Sequence, residues 1–362
     1  MLAENVDNCR YSGSLRIIFL PDSSLSAGTC GTNDTNLIHG RNDLKGGMHY
    51  PQMVDVVKDS ILAFDVGGSH VSAAVCQEGD YCLGPVVSAP HPAMQTCEAF
   101  VGLLHMLGVE AGVNCGREVG ATLAMPGPFD FQAGISLMRH KLPYLYGIDL
   151  RRALAERFGW QPCQVRFIND ADAFLLGEIG AGAARGFGRA MGLTLGTGIG
   201  SAFAVDGRLV TEGVGVPKNG EIWNLEYGSG IVEDFISSRA IRGAYERRTG
   251  KTLEVAQLAA IAPDDTAAQG AFDEFGQHLG RVLGTLLARF VPDVVVLGGG
   301  ISRSAHLFLP DTQKQLCNQA FQLRVSELLD WAALVGCGVA SFSGPSRPLI
   351  HAGSSSTLGD AA

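Results

Sequence analysis

The sequence predicts an α/β chain built as two similar halves. Three observations carry that prediction. Apolar runs of strand length alternate with stretches whose apolar residues recur at helical spacing. Two segments, Ile61–Val75 (ILAFDVGGSHVSAAV) and Met191–Val205 (MGLTLGTGIGSAFAV), share one plan: apolar strand, glycine turn with a hydroxyl residue, apolar strand. The 362 residues are enough for two cores at about 100–200 residues per domain.

The elements follow in order. Ser60–Asp65 and Val71–Cys76 read as strands joined by the turn Gly67-Gly68. Phe100–Leu107 and Leu150–Phe158 have helical spacing, and Glu118–Ala124 and Gln164–Ile168 read as strands. A helix over Ala171–Gly180 comes next, then the strands Met191–Leu195 and Ser201–Val205. Ala267–Phe290 is a long amphipathic helix, and Val294–Leu297 is a buried strand entering Gly298-Gly299-Gly300 and a helix near Ser302–Leu309. Leu323–Leu329 precedes a small-residue helix over Trp331–Phe342. Residues 1–57 are rich in Asn, Asp, Ser and Gly, with Leu15–Leu20 as their one strand candidate. They read as a disordered extension or one added by a start assigned too far upstream, since Met48 and Met53 lie just before the first strong strand. Residues 344–362 read as a disordered tail.

Composition excludes several classes. A net charge of -9 argues against general binding to nucleic acid or to an anionic membrane. No apolar run reaches the ~18–20 residues of a membrane span, and no basic-then-apolar leader opens the chain. The nine cysteines are scattered, odd in number and free of any CxxC, as expected of reduced thiols in a cytoplasmic protein.

Three glycine turns follow apolar strands. In Asp65-Val66-Gly67-Gly68-Ser69 the glycines let backbone N–H groups approach a phosphate, Ser69 adds a donor, and Asp65 suits a hydrated Mg²⁺. An ordinary hairpin turn is the alternative. Gly196-Thr197-Gly198-Ile199-Gly200 is spaced GxGxG and runs into a strand, so it is not a dinucleotide fingerprint. It reads as a phosphate-cradling hairpin with Thr197 as donor, or as a tight turn. Gly298-Gly299-Gly300 offers a flat platform for a base or ribose, or a plain strand-to-helix turn. No GxxxxGK[ST] occurs. At the end of Val165–Ile168, Asp170 is placed to act as general base toward a hydroxyl and Asn169 to bind a polyol; helix capping is the alternative. Glu221, Trp223, Asn224 and Glu233 form a further candidate sugar-binding segment, or a solvated loop and helix.

In this order the segments resemble the ROK family of sugar kinases, within the sugar kinase and actin-like ATPase superfamily, from about Ile61 to Phe342. DVGGS resembles the first phosphate motif, MPGPFD (Met125–Asp130, with Gly134) the Pro-Gly-Pro segment, and NDADAFLLGE (Asn169–Glu178) the catalytic segment. LGTGIG resembles the second phosphate motif, VVVLGGGIS the adenosine motif, and AALVGCGVA the C-terminal helix that returns to the first domain. The resemblance implies two ribonuclease-H-like domains around a central cleft: 58–168, joined by the helix 329–343, and 169–328. It implies ATP and Mg²⁺ as cofactors, with phosphoryl transfer to a hexose, glucokinase-like, and Asp170 taking the hydroxyl proton. Asn169, Glu221, Asn224, Glu233 and Gly127 would bind sugar. Gly67, Gly68, Ser69, Gly196, Thr197, Gly198, Gly200, Gly298, Gly299 and Gly300 would hold ATP, with Asp65 reaching Mg²⁺ through water. The partner implied is a small sugar, with neither nucleic acid nor membrane, and a homodimer is the oligomer considered.

Three departures stand out. The family's zinc element, a His and three Cys after the Gly-Glu pair, is missing, because Gly213–Ser238 contains neither residue type; no zinc is expected. Asn224 stands in place of the His. Lys141 sits where the family often has Asn and either reads a carboxylate or faces solvent; His70 follows Ser69 where Lys or Asn is usual. An N-acetylated hexosamine or other modified sugar as substrate, and a non-catalytic sugar-binding or regulatory protein, are the competing readings.

Overall fold

The computed structural model describes residues 16–18, 59–112, 118–316 and 321–342. The expectations for the rest of residues 1–57 and for 344–362 lie outside the described residues. Within the candidate stretch Leu15–Leu20, Arg16–Ile18 forms strand β1.

The first half runs β2 (Ser60–Val66), β3 (His70–Gln77), β4 (Val86–Pro90), α1 (Cys97–Glu110), β5 (Glu118–Met125), the short pair β6 (Phe129–Asp130) and β7 (Ile135–Ser136), α2 (Leu150–Phe158) and β8 (Val165–Asn169). Helix α3 (Asp170–Ala181) leads to the second half. There β9 (Arg189–Leu195), β10 (Ile199–Val205) and β11 (Arg208–Leu209) precede the hairpin β12 (Glu226–Tyr227) and β13 (Gly230–Ile231). Helices α4 (Val232–Phe235), α5 (Ser238–Thr249), α6 (Val255–Ile261) and α7 (Thr266–Phe290) follow, then β14 (Val294–Gly298), α8 (Ala305–Gln315), β15 (Gln322–Val325) and α9 (Ala332–Phe342).

The repeat read from the sequence is present in the sheets. One sheet has the order β1-β4-β3-β2-β5-β8 and the other β11-β10-β9-β14-β15. In each, the first strand pairs antiparallel with the second and parallel with the fourth, which pairs parallel with the fifth. β1 is an addition to the edge of the first sheet, antiparallel to β4.

Alternation along the strands sorts the cores. Leu62, Phe64 and Val66 pack with Phe100 and Leu104 of α1 and Leu150 and Leu154 of α2, while Ile61 and Ala63 pack with Leu334 and Cys337 of α9. In the second sheet Met191, Leu193 and Leu195 face the α5–α8 layer, and Ala190, Ala202 and Val296 face Phe174 and Leu175 of α3. Helices α3 and α9 thus lie back to back between the sheets. Their crossing is close because it is built from small residues. A Cβ at Gly336 would lie 1.7 Å from the Ala173 carbonyl, and one at Gly177 2.0 Å from the Ala332 carbonyl. Glu178, fully buried, ties the same seam. Its carboxylate accepts from the backbone N–H of Ala183 (2.7 Å) and Leu328 (3.2 Å) and from the Ser326 hydroxyl (2.5 Å). No helix among the described residues is long and apolar enough to cross a membrane.

Candidate functional site

The expected site residues gather where parallel strands end. Asp65 lies near the end of β2, in register with Ala124 of β5, and Met125 pairs with Asn169 at the end of β8. Two strand spacings separate β2 from β8, about 10 Å. Asn169 caps α3. Its Oδ1 accepts from the N–H groups of Ala171 (3.0 Å) and Asp172 (3.3 Å), a cap worth about 1 kcal/mol. The capping reading is therefore the observed one, and it leaves the Asn169 amide NH₂ free to donate. Asp170 is the first residue of α3, half-buried, with Oδ1 accepting from the Ala171 N–H at 2.9 Å.

The electrostatics join these residues into one cluster. Burial pushes Asp65 up to about 7, with further lifts from the charges of Asp170 and Asp330. Burial likewise pushes Asp172 up to about 7, helped by Asp170 and Glu221. Asp170 is raised by burial, while Lys141 and the backbone N–H bonds hold it down. Lys141 is exposed, as the solvent-facing reading has it, and its charge acts on Asp170. Leu142 behind it has φ 46°, an uncommon left-handed conformation that turns the chain there.

The glycine turns differ in what they leave free. In the first, the Gly67 N–H closes the turn on the His70 carbonyl at 3.0 Å and is occupied. Around Gly68 a Cβ would meet nothing within 4 Å, and neither its N–H nor that of Ser69 has a hydrogen-bond partner among the described residues. The Ser69 hydroxyl lies 3.0 Å from His70 Nδ1, which gives His70 a partner. In the second turn Gly196 N–H closes on the Gly198 carbonyl at 3.0 Å, and Thr197 is exposed at the apex. Gly200 faces Thr194 Oγ1, 2.3 Å from where a Cβ would be. The third turn is glycine largely for packing. A Cβ on Gly298 would lie 2.2 Å from the Phe174 ring and one on Gly299 2.4 Å from the Leu195 carbonyl; only Gly300 opens outward.

Glu233 opens α4 and turns inward. Its Oε2 accepts from the Ile199 N–H at 3.2 Å, so it supports the second turn. Glu221, Trp223 and Asn224 are exposed, and Gly127 precedes a cis Gly127-Pro128 bond with open space at its α-carbon.

Sequence reasoning missed Asp330, His91 and Ser238 and gave Asp172 no role. Asp172 was legible as a second carboxylate two residues after Asp170. Asp330 is ion-paired to Arg303 just before α9 and reaches the cluster only because that helix returns to the first sheet.

Among the described residues no group of three or more His, Cys, Asp or Glu side chains converges to hold a metal. A hydrated Mg²⁺, which takes one or two carboxylates together with phosphate and water, needs no such group. Asp65 fits that role. It is an oxygen donor with no hydrogen-bond partner among the described residues, beside the negative charges of Asp170 and Asp330.

Comparison with known proteins bears on the family and the fold. The family model described as the ROK family matches residues 61–338. The N-acetylgalactosamine kinase AgaK of Shewanella sp. (strain ANA-3) is 25% identical over 299 residues, covering 77% of this chain and 95% of that protein. The glucokinase of Thermotoga maritima is 28% identical over 246 residues, covering 59% and 76%. A ROK family glucokinase from Streptomyces griseus, solved with glucose and AMPPNP, shares the fold with a TM-score of 0.66 at 21% identity, over 79% of this chain and 100% of that one.

Proposed function

The chain belongs to the ROK family, and on that premise we propose that it is an ATP-dependent kinase that phosphorylates a hydroxyl of a hexose. The observation that carries this is the electrostatic cluster of Asp65, Asp170, Asp172 and Lys141 at the strand ends, flanked by two glycine turns of which the first leaves open space beside Gly68. The two sheets are taken as two ribonuclease-H-like domains, 58–168 with 329–343 and 169–328, around a cleft that holds both substrates. ATP is the donor, in keeping with the AMPPNP of the Streptomyces griseus enzyme. The work would proceed in the cytoplasm, on a small sugar.

Asp170 is the general base. Its carboxylate accepts the proton of the sugar hydroxyl as that oxygen bonds to the γ-phosphorus, and the bond from phosphorus to the β,γ-bridging oxygen breaks to release ADP. Burial raises the affinity of Asp170 for a proton, and the Lys141 charge opposes that rise. The Asn169 amide and Glu221, Asn224, Glu233 and Gly127 orient the sugar. The N–H groups of Gly68, Ser69 and the second turn meet phosphate oxygens, and catalysis rests on positioning and electrostatics. Mg²⁺, when bound beside Asp65, supplies charge neutralisation for the transferring group.

Glucose and N-acetylated hexosamines are the substrates of first choice, since the relatives include both kinds of kinase. A coupled ADP-release screen over hexoses, N-acetylhexosamines and polyols with MgATP tests the reading. Turnover with one or more sugars is the expected outcome. ADP release with none of them overturns it in favour of a sugar-binding protein.

A further inference from the structure

The first glycine turn has a support on a distant segment. His91 directly follows β4. Its backbone N–H donates to the Ser69 carbonyl at 3.1 Å, and its Nε2 lies 2.8 Å from the Gly67 carbonyl oxygen. A carbonyl only accepts, so Nε2 carries a proton and donates it. Nδ1 is buried with no partner among the described residues, and the ring stacks on Phe100 at 6.0 Å and 27°.

The bond has a consequence on the other side of the peptide plane. In a trans peptide the C=O and the following N–H point in opposite directions. A donor that fixes the Gly67 carbonyl therefore fixes the Gly68 N–H facing away from His91. The Gly67 N–H is spent on the His70 carbonyl, whereas the Gly68 N–H has no partner among the described residues and a Cβ at Gly68 would meet nothing within 4 Å. Hydrogen bonding at the carbonyl also polarises the peptide and strengthens its N–H as a donor.

We propose that His91 is a positioning residue for nucleotide: by donating from Nε2 to the Gly67 carbonyl, it holds the first turn with the Gly68 N–H presented to the phosphates of ATP. This rests on the kinase reading above. His91 touches no substrate and acts only through the turn.

The test compares wild type with His91→Phe, which keeps a ring against Phe100 but cannot donate, and His91→Gln, whose amide can. Calorimetry measures binding of MgAMPPNP and, separately, of adenosine, which has no phosphate. The phenylalanine variant is expected to bind MgAMPPNP about tenfold more weakly, the size of one net hydrogen bond to a charged group, and adenosine as wild type does. The glutamine variant is expected to recover most of that loss, and KM for the sugar to stay within twofold throughout. Unchanged MgAMPPNP affinity in His91→Phe overturns the proposal, as does an equal loss for adenosine, the mark of a general packing defect. A glutamine variant no better than phenylalanine overturns the donor role. His91→Met replaces the phenylalanine variant should that one not fold. Wild type that binds neither ligand overturns the kinase reading itself, an outcome distinct from wild type binding and all variants binding alike.

Discussion

The two strand-ending glycine turns look alike in sequence and are built differently. Both close on themselves through the N–H of their leading glycine, at 3.0 Å in each case. Both have the carbonyl of that glycine held by a remote residue: His91 Nε2 on Gly67, and the N–H (2.8 Å) and hydroxyl (2.9 Å) of Ser238 on Gly196. They differ in the space beside them. Gly68 faces nothing within 4 Å, whereas a Cβ on Gly198 would lie 2.3 Å from Glu233 Oε2. The first turn leaves open space beside its second glycine. The second is glycine partly because the chain's own carboxylate has taken the place. One sequence signature therefore has two physical causes, and in both turns the support comes from a segment that no repeat marks.

The largest effect is expected where the two turns share a function. Asp170 lies at the start of the helix between the two sheets, and its role in proton acceptance does not depend on which turn holds the phosphates. Asp170→Asn keeps the Ala171 hydrogen bond and loses the base, so turnover should fall about 10³-fold, within the usual range for general-base catalysis. MgAMPPNP binding and the melting temperature should stay near wild type. ADP release at the wild-type rate in a coupled assay would remove Asp170 from the mechanism and leave the turns without a reacting centre.

A pair of alanine substitutions sharpens the contrast between the turns. Gly198→Ala must displace Glu233, which releases the Ile199 N–H as well. The strain should cost about 1–3 kcal/mol, seen as a lowered melting temperature, and kcat/KM for the sugar should fall with it. Gly68→Ala meets open space, so melting should be unchanged while KM for MgATP rises several-fold. Equal losses of stability in the two variants would show that the turns are supported alike.

How much of this was readable in the sequence follows the same division. β2, β3, β9, β10 and β14 were legible because their apolar runs border a glycine turn, and α7 because its apolar stripe is long. Helix α5, SRAIRGAYERRT, was not, since only Ile241, Ala244 and Tyr245 of it are buried and its charges obscure the period. The two-residue strands β12 and β13 are too short to leave a pattern. At the site, Asp65, Asn169 and Asp170 were legible from their place at strand ends. His91, Ser238 and Asp330 were not, because each reaches the site through tertiary topology. His91 is an isolated histidine between two prolines, and nothing local relates it to Gly67.

The smallest effect concerns the one strand position where the halves differ most in charge. Asp65 lies two residues before the leading glycine of the first turn, and the uncharged Thr194 stands at the matching place in β9. The Asp65 carboxyl is pushed from the ordinary 3.8 up to about 7, by burial first and by Asp170 and Asp330 after it. The folded state therefore holds this proton more tightly than the unfolded chain does. Below about pH 4 both states are protonated and nothing is lost. Between pH 4 and 7 the unfolded chain ionises while the fold resists, so stability declines; above 7 both are ionised and the loss is complete. Asp65→Asn removes the titration, so its melting temperature relative to wild type should climb by a few degrees between pH 5 and pH 8, even as activity is lost. Added MgCl₂ with AMPPNP should raise wild-type melting at pH 8 more than that of Asp65→Asn, because only the aspartate can answer the cation. A melting difference that stays constant from pH 5 to 8 would mean that Asp65 is not the buried charge that sets the first half apart from the second.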